Sequence, residues 1–544
     1  MPSQSLDRPG PLVAALVLNS VSHDARVLKE ADSLASAGYR VVVIGIRDAR
    51  CDEPRTVLDS GVVILRLKYR EVLRYHGLRR RYRRSSVVGL AMVVTVSALA
   101  LGIGSTLVSP LVVAIDSIGG STFALVLLAL AAIGAVAARR ALGYRAAMRG
   151  LLRQGLPLGP GRGGASRRRS LLAMVPAAVH PLARSLSRSR PARAVLHGGR
   201  WIRRAFRNGL AALEDHARAR LQGVRQVHVA SMFNSELDRI GPDVVHCHDL
   251  NTLAAGREYV ARHPAARLVL DSHELYEETA TISRQPALKR FWQRSLAEAS
   301  RGIDGFITVN DSIAAEYRSR YPSLPDIHVV RNATPAPAGP VERDSRLREA
   351  AGLGESDRVL LYQGGFARHR GLEALVEAAG ELPDPWVLVM MGWGNLEPEL
   401  RTIASRVDPH ELRIRFVPAA PQPELPAWTS GADVGVIPYE NTCLNHWFCS
   451  PNKLWEYPVA GVPMLVSDFP ELRKVVDEHG VGSTLPPVLE GAALRALLAD
   501  IDDSRLRSMR EACRRFLEKD NWSVYEGRLV DLYRRLAPVG SAGS

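Results

Sequence analysis

Residues 450–468 read SPNKLWEYPVAGVPMLVSD, a short helix with its punctuation followed by a strand. Ser450 can accept a hydrogen bond from a first-turn amide, which predicts an N-cap. Pro451 stands where a missing N–H costs nothing, and Gly461 and Pro463 predict the stop. MLVS then predicts a short buried strand. Pro458 removes one helical hydrogen bond and predicts a kink in the last turn. Lys453 falls in the first turn and Glu456 one turn further on. The first amides of a helix point outward unpaired and carry partial positive charge. A phosphate there, beside Lys453, places Glu456 near the hydroxyls of the sugar that carries it. An ordinary amphipathic helix with one exposed Lys and one exposed Glu fits the same residues.

Around this stretch the chain alternates strands and helices. VLLYQGG (359–365), VLVMMG (387–392), IRFV (414–417), ADVGVIP (432–438) and PMLVS (463–467) predict one parallel sheet behind a proline-rich link, PAPAGPVERD (335–344). Arg368 and Arg370 follow the glycine turn after the first of these strands. Two guanidiniums there can neutralise a diphosphate; a solvated turn is the plainer alternative. Upstream, VAALVLN (13–19), VVVIGI (41–46), VVILRL (62–67), DVVHCHD (243–249), RLVLDSHE (267–274), GFITVN (305–310) and DIHVVRNA (326–333) predict a second parallel sheet. A helix is predicted over 24–37. In such sheets ligands sit beyond the carboxyl ends of the strands. Those ends carry His246, His248, Asp249, Asp271, His273, Glu274, Asn310 and Asn332. His246 and His248 share a strand face and could converge on a metal, but no third ligand is in sequence view. Cys443, His446 and Cys449 also have metal-like spacing, as buried thiols equally do. No metal site is expected.

With 544 residues the chain is too long for one core. Its net charge of +15 is uneven. Twenty arginines fall between Arg139 and Arg225, against only Glu214 and Asp215. Residues 85–115 and 121–138 are almost wholly apolar, and a bilayer-spanning helix needs about 20 such residues. Arginines flank both ends, which predicts a transmembrane hairpin with its tip outside. The basic segment beyond it, with apolar–arginine mixtures over 171–186 and 201–213, suits an anionic inner leaflet rather than nucleic acid, since no folded nucleic-acid module is visible. Five scattered cysteines fit reduced thiols, and the N-terminus lacks the layout of a signal peptide. The expected organisation is 1–70 as the first part of a Rossmann-like domain and 71–150 as the hairpin with basic flanks. A basic, membrane-surface segment (151–225) and the rest of the first domain (226–334) follow. A second Rossmann-like domain (335–520) and a crossing helix with tail (521–544) complete the chain.

The chain resembles the GT-B glycosyltransferases, especially the large retaining family that uses nucleotide sugars (glycosyltransferase family 4-like). DARVLKEADSLASAGYRVVVIG and DVVHCHD look like that family's first helix and fourth strand. YQGGFARHRGLEALVEAA resembles its phosphate-binding turn. LPAWTSGADVGVIPY and SPNKLWEYPVAGVPMLVSD look like its donor site, and NWSVYEGRLVDLY like its closing helix. The resemblance implies an α/β fold of two Rossmann-like domains, here with the inserted hairpin. It implies a donor diphosphate held by Arg368, Arg370 and Lys453, with Gly365 and Asn452 beside it. Ribose hydroxyls would bond to Glu456, and the base would lie against backbone near Val417. His248 and Glu456 would be the catalytic pair, with Asn19, His273 and Glu274 on the acceptor side. Phe448 stands where the family commonly has a second Glu, so the resemblance leaves the sugar and the stereochemical outcome open; Asn445 or His446 could substitute. The implied activity is transfer of a sugar from a nucleotide-diphosphate sugar without a cofactor, and the hairpin points to a lipid-linked or glycan acceptor in cell-surface polysaccharide or glycolipid synthesis. The expected placement is multi-pass in the inner membrane with cytoplasmic catalytic domains. A nucleotide-sugar epimerase and a non-catalytic scaffold are the alternatives.

Overall fold

The computed structural model describes residues 9–22, 24–48, 51–68, 190–337, 339 and 341–539, with side chains of the first long helix described from Asp215 onward. Two α/β sheets carry the fold. The first contains β1 (Leu12–Leu16), β2 (Arg40–Ile46), β3 (Arg55–Val57), β4 (Val63–Leu67), β5 (Val244–His248), β6 (Arg267–Ser272), β7 (Gly305–Thr308) and β8 (Ile327–Val329). Its order is β3-β4-β2-β1-β5-β6-β7-β8. All neighbours are parallel except the β3–β4 pair, a short antiparallel edge that the sequence pattern did not announce. Strand β5 lies directly against β1, with Val13 opposite Val244 and Leu16 opposite Cys247. The chain therefore leaves the sheet after β4 and returns to its centre. The strand order reverses at β1 and β5, and a crevice opens at their carboxyl ends.

The second sheet contains β9 (Arg358–Gly365), β10 (Trp386–Trp393), β11 (Ile414–Val417), β12 (Val434–Ile437), β13 (Met464–Val466) and β14 (Gly482–Thr484), in the order β11-β10-β9-β12-β13-β14 and all parallel. Its central strands β9, β10, β12 and β13 are largely buried apolar runs, as a sheet covered on both faces requires. Around the first sheet lie α1 (Ala25–Ser36), α2 (Arg190–Ile240), α3 (Leu250–Arg262), α4 (Pro286–Ala299) and α5 (Asp311–Arg320). Around the second lie α6 (Arg346–Ala351), α7 (Leu372–Ala379), α8 (Glu397–Val407), α9 (Leu425–Ser430), α10 (Leu444–Trp447), α11 (Lys453–Val459), α12 (Pro470–His479), α13 (Gly491–Ala499) and α14 (Asp503–Lys519). The last helix, α15 (Trp522–Leu536), crosses back to the first sheet. Trp522 Nε1 donates to Ser33 Oγ of α1 at 3.0 Å, and Tyr39 donates to the Ala537 carbonyl at 3.0 Å. One apolar cluster runs from Val13 and Ile64 through Trp455 and Tyr457 to Phe516 and Tyr533, so the two sheets share a core.

Three expectations change. Helix α11 begins at Lys453 and has seven residues, with Asn452 at the cap position. Ser450 does not cap it: its hydroxyl is buried without a partner, while its carbonyl accepts a hydrogen bond from Asn332 at 3.2 Å. Pro451 accordingly lies before the helix rather than inside its first turn. Multi-pass placement in the inner membrane is set aside, because among the described residues no helix is long and apolar enough to cross a membrane. The apolar runs at 85–115 and 121–138 lie outside the described residues, as does 171–186. The stretch from residue 190 to 225, expected as part of a basic membrane-surface segment, forms the first part of α2. That helix packs its far end, with Val229, Phe233 and Leu237 fully buried, into the first sheet's core.

Asp215 explains where α2 meets the domain. Its carboxylate accepts from the amides of Ala287 at 2.6 Å and Leu288 at 3.2 Å, the second and third residues of α4. Helix α4 has no capping side chain of its own. Asp215→Ala is expected to cost about 1–2 kcal/mol in denaturant unfolding, with Asp215→Asn recovering most of it, since an amide oxygen still accepts.

Candidate functional site

A cleft of about 410 Å³ opens between the sheets, lined by Asn19, Asp24, Arg26, Asp48, His273, Asn332, Asn452 and Glu456 among others. The first-sheet wall is built on Arg26, in the first turn of α1. Arg26 is 7% exposed. Its Nε and Nη2 reach Asp271 Oδ2 and Oδ1 at 2.8 and 2.9 Å, a bidentate pair at the end of β6. Nη1 donates to the Val330 carbonyl at 2.7 Å and to Asn332 Oδ1 at 3.1 Å. Burial opposes the charges, yet the pairing keeps Arg26 cationic and holds Asp271 well below the usual carboxylate range. Glu30, one turn along α1 and 3.0 Å from Arg26 Nε, is pushed by burial up to about 7.

The histidines converge on the same carboxylate. His273 Nε2 lies 3.0 Å from Asp271 Oδ2 and 3.0 Å from His248 Nδ1. The His273 amide donates to Asp249 Oδ1 at 3.1 Å. Asp249 holds φ 61°, in the left-handed region that disfavours a side chain, and its position under His273 is fixed by its own amide bonding the Asp271 carbonyl. His273 is the histidine that opens onto the cleft. His248, expected to face the transferred sugar, is 2% exposed and lies behind it. Glu274 is exposed and within electrostatic reach of Arg370 from the other sheet. Asn19 lines the cleft but holds its own loop: it accepts from the Val21 amide at 2.7 Å and donates to Asp24 at 2.8 Å. Asp24 in turn caps α1 through the Val27 amide.

The possible ligand atoms of Glu30, His246, His248 and Asp271 lie within 4.8 Å of one another, two more groups than the His246–His248 pair visible in sequence. Asp271 is already saturated by Arg26 and His273, however, and both of those cations oppose a third. The cluster therefore acts as an ion-pair network in which Arg26 occupies the position of the positive charge.

The second-sheet wall is built on α11. Lys453 is 7% exposed, and its ammonium sits 5.3 Å from the Tyr362 ring centroid. It packs against Gly364, whose φ of +116° disfavours any side chain and where an added Cβ would come within 3.0 Å of the Lys453 ammonium. Glu456 Oε2 accepts from Gln363 Nε2 at 3.0 Å, and Gln363 is held by the Thr429 hydroxyl at 2.7 Å. Gln363 is 2% exposed. Sequence reasoning passed over it, although a lone amide inside the apolar strand VLLYQGG was the available signal. Arg370 donates to the Tyr439 hydroxyl at 2.7 Å. It is steered by Gly371, where a Cβ would fall 1.7 Å from the Pro438 carbonyl oxygen.

Arg368 is not brought to this wall. It is exposed on the surface, paired with Glu399 at 2.6 Å and Glu373 at 3.4 Å. Gly365 ends β9, Val417 ends β11 in the core, and Asn452 is exposed on the cleft. Neither proposed substitute for the missing carboxylate is free for that role. Asn445 accepts from the Leu275 amide at 2.8 Å, and His446 pairs with Thr442 at 2.8 Å. Phe448 packs against the first sheet's core, and its carbonyl accepts from Asn310 at 2.7 Å. Asn445 and Phe448 thus bridge the two halves, and neither lines the cleft.

Two family models match the chain: Glycosyltransferase Family 4 over residues 219–335 and Glycosyl transferases group 1 over residues 357–501. The chain is 28% identical over 217 residues to D-inositol 3-phosphate glycosyltransferase of Thermobispora bispora, covering 36% of this chain and 48% of that protein. It is 25% identical over 318 residues to phosphatidyl-myo-inositol mannosyltransferase of Mycobacterium leprae, covering 55% of this chain and 75% of that one. The match thus spans about half the length of the first relative. Sucrose-phosphate synthase from Thermosynechococcus elongatus superimposes with a TM-score of 0.58 at 14% identity, over 97% of this chain and 99% of that one. The fold is GT-B, with one family match on each sheet.

His273 supplies a pH test of the first-sheet wall. Burial opposes its charge, but Asp249 and Asp271 raise it from 6.5 to about 10. The folded value lies above the unfolded one, so the stabilisation is complete below 6.5 and is lost as pH rises through about 10. The stability gap between wild type and His273→Gln should therefore shrink between those two values. A gap that stays constant across that range in denaturant titrations contradicts the network.

Proposed function

We propose that the protein is a glycosyltransferase that moves a sugar from a nucleotide-diphosphate sugar to a hydroxyl-bearing acceptor. The observation that carries this is Glu456 of α11 lining one cleft with His273, with the buried Lys453 one turn earlier on the same helix, against Gly364. Lys453 and Arg370 hold the diphosphate, and residues 335–520 form the donor half. Glu456, oriented by Gln363, accepts hydrogen bonds from the ribose hydroxyls, and the base lies against backbone near Val417. His273 faces the transferred sugar directly, with His248 behind it.

In the reaction the bond between the anomeric carbon and the diphosphate oxygen breaks, and a bond to the acceptor oxygen forms. Negative charge grows on the leaving diphosphate, and fixed cations stabilise it by several kcal/mol, by analogy with other preorganised sites. Lysine and arginine supply that charge without a metal. Asn19, Asp24 and Asp48 on the opposite wall suit a polyhydroxylated acceptor, either a glycan or a lipid-linked sugar. The two inositol-related names among the relatives fit such an acceptor. The outcome at the anomeric carbon is proposed as retention, after the family resemblance.

Lys453→Ala and Glu456→Gln are expected to lower kcat/KM for transfer by about a hundredfold or more, with thermal unfolding little changed. Membrane-free enzyme, a panel of labelled nucleotide sugars and glycan or glycolipid acceptors provide the assay. Near-normal transfer by both variants contradicts the donor site. Conversion of the donor without any acceptor would instead indicate an epimerase.

A further inference from the structure

Helix α15 ends inside the first sheet, beneath the cleft. Tyr533 is fully buried, and its hydroxyl lies 2.7 Å from His246 Nδ1. The His246 ring stacks on His248, with centroids 4.2 Å apart and planes 21° apart. His248 in turn meets His273 at 3.0 Å, and His273 opens onto the cleft. A residue near the end of the chain therefore reaches the site through three consecutive imidazoles.

An imidazole is oriented by the hydrogen bonds on its two nitrogens, and the partner on one nitrogen fixes the tautomer at the other. His246 Nε2 is buried and unpartnered. Its nearest carboxylates, Glu30 and Asp271, stand at 3.9 and 4.0 Å, beyond hydrogen-bond reach. Tyr533 is thus the hydrogen bond that seats this ring. Burial, with His248 and Arg26 nearby, also drives the His246 pKa well down, so the ring stays neutral beneath the charged His273. Helix α15 is itself pinned to α1 by the Trp522–Ser33 bond.

We propose that Tyr533 and His246 are positioning residues for the His248–His273 pair, so that the C-terminal helix sets the orientation of the groups facing the transferred sugar. This rests on the glycosyltransferase reading above. Tyr533→Phe removes one oxygen and keeps the ring. In the full chain it is expected to lower kcat by about tenfold or more, with the donor KM changed by less than about twofold. It should also shift the ring signals of His248 and His273 in an NMR spectrum of histidine-labelled protein. Tyr39→Phe is the control: Tyr39 packs edge-on to Tyr533 at 5.6 Å, and its hydroxyl bonds the Ala537 carbonyl at the end of α15 rather than His246. It should leave both readouts unchanged. Unaltered kcat and ring signals in Tyr533→Phe overturn the proposal, as does an equal loss in Tyr39→Phe, which would mark general anchoring and packing of the helix end rather than the hydrogen bond to His246. The ring signals need no turnover. A wild type without transfer therefore defeats the functional reading, while the NMR comparison still decides the positioning. If Tyr533→Phe does not fold, His246→Asn, which keeps a group facing the tyrosine hydroxyl, takes its place. A folded His246→Asn with unaltered His273 signals overturns the proposal.

Discussion

The buried pair of Arg26 and Asp271 is the constraint on which the site depends. Two charges removed from water cost several kcal/mol each, and the cost is met only where geometry is good and every remaining donor is satisfied. Arg26 meets that condition through a bidentate carboxylate, the Val330 carbonyl and Asn332. Removing the guanidinium would leave the buried Asp271 with His273 as its remaining cation; breaking comparable buried pairs costs about 3–5 kcal/mol. The same guanidinium joins α1, the end of β6 and the loop after β8. Through Asn332 and the Ser450 carbonyl it also reaches the segment that leads into α11. One charge thus ties the acceptor-side wall to the donor-side wall.

What Arg26 does for one wall, close backbone packing does for the other. Gly364 lets the Lys453 ammonium lie against a strand end, and Gly371 lets the loop carrying Arg370 approach β12. Tyr457, fully buried, bonds the carbonyls of Leu361 at 2.9 Å and Val436 at 3.3 Å, which locks α11 across two adjacent strands. The result is a rigid donor wall with two cations and one oriented carboxylate, facing a rigid wall of charged and neutral imidazoles. Domain-bridging contacts such as Asn445 to Leu275 and Glu471 to the Ser312 amide hold the halves together in this arrangement.

Much of this was legible in the residues. Apolar runs of strand length located twelve of the fourteen strands among the described residues, because strands buried on both faces have a strong, continuous signal. The exceptions, β3 and β14, are three residues each and mixed in polarity. Glu456 and His273, both on the cleft, stand where strand ends and helix starts gather polar groups at a ligand crevice, and Lys453 and Arg370 stand at similar positions. Arg26 and Glu30 escaped, since charged residues in an amphipathic helix normally face water and only the partner Asp271, 245 positions away, makes burial tolerable. Arg368 misled for the opposite reason. Its position in the turn was right, but Glu399, on a helix remote in sequence, draws it outward. The Ser450 cap failed because Asn332 from the other half engages that loop first.

The central claim is that both walls serve a single nucleotide-sugar site. A crystal structure of the full chain with a nucleoside diphosphate bound tests it most directly. The account predicts the diphosphate beside Lys453 and Arg370, the ribose hydroxyls on Glu456, and the open end of the diphosphate directed at His273. A nucleotide bound elsewhere, or with its ribose away from Glu456, would contradict it.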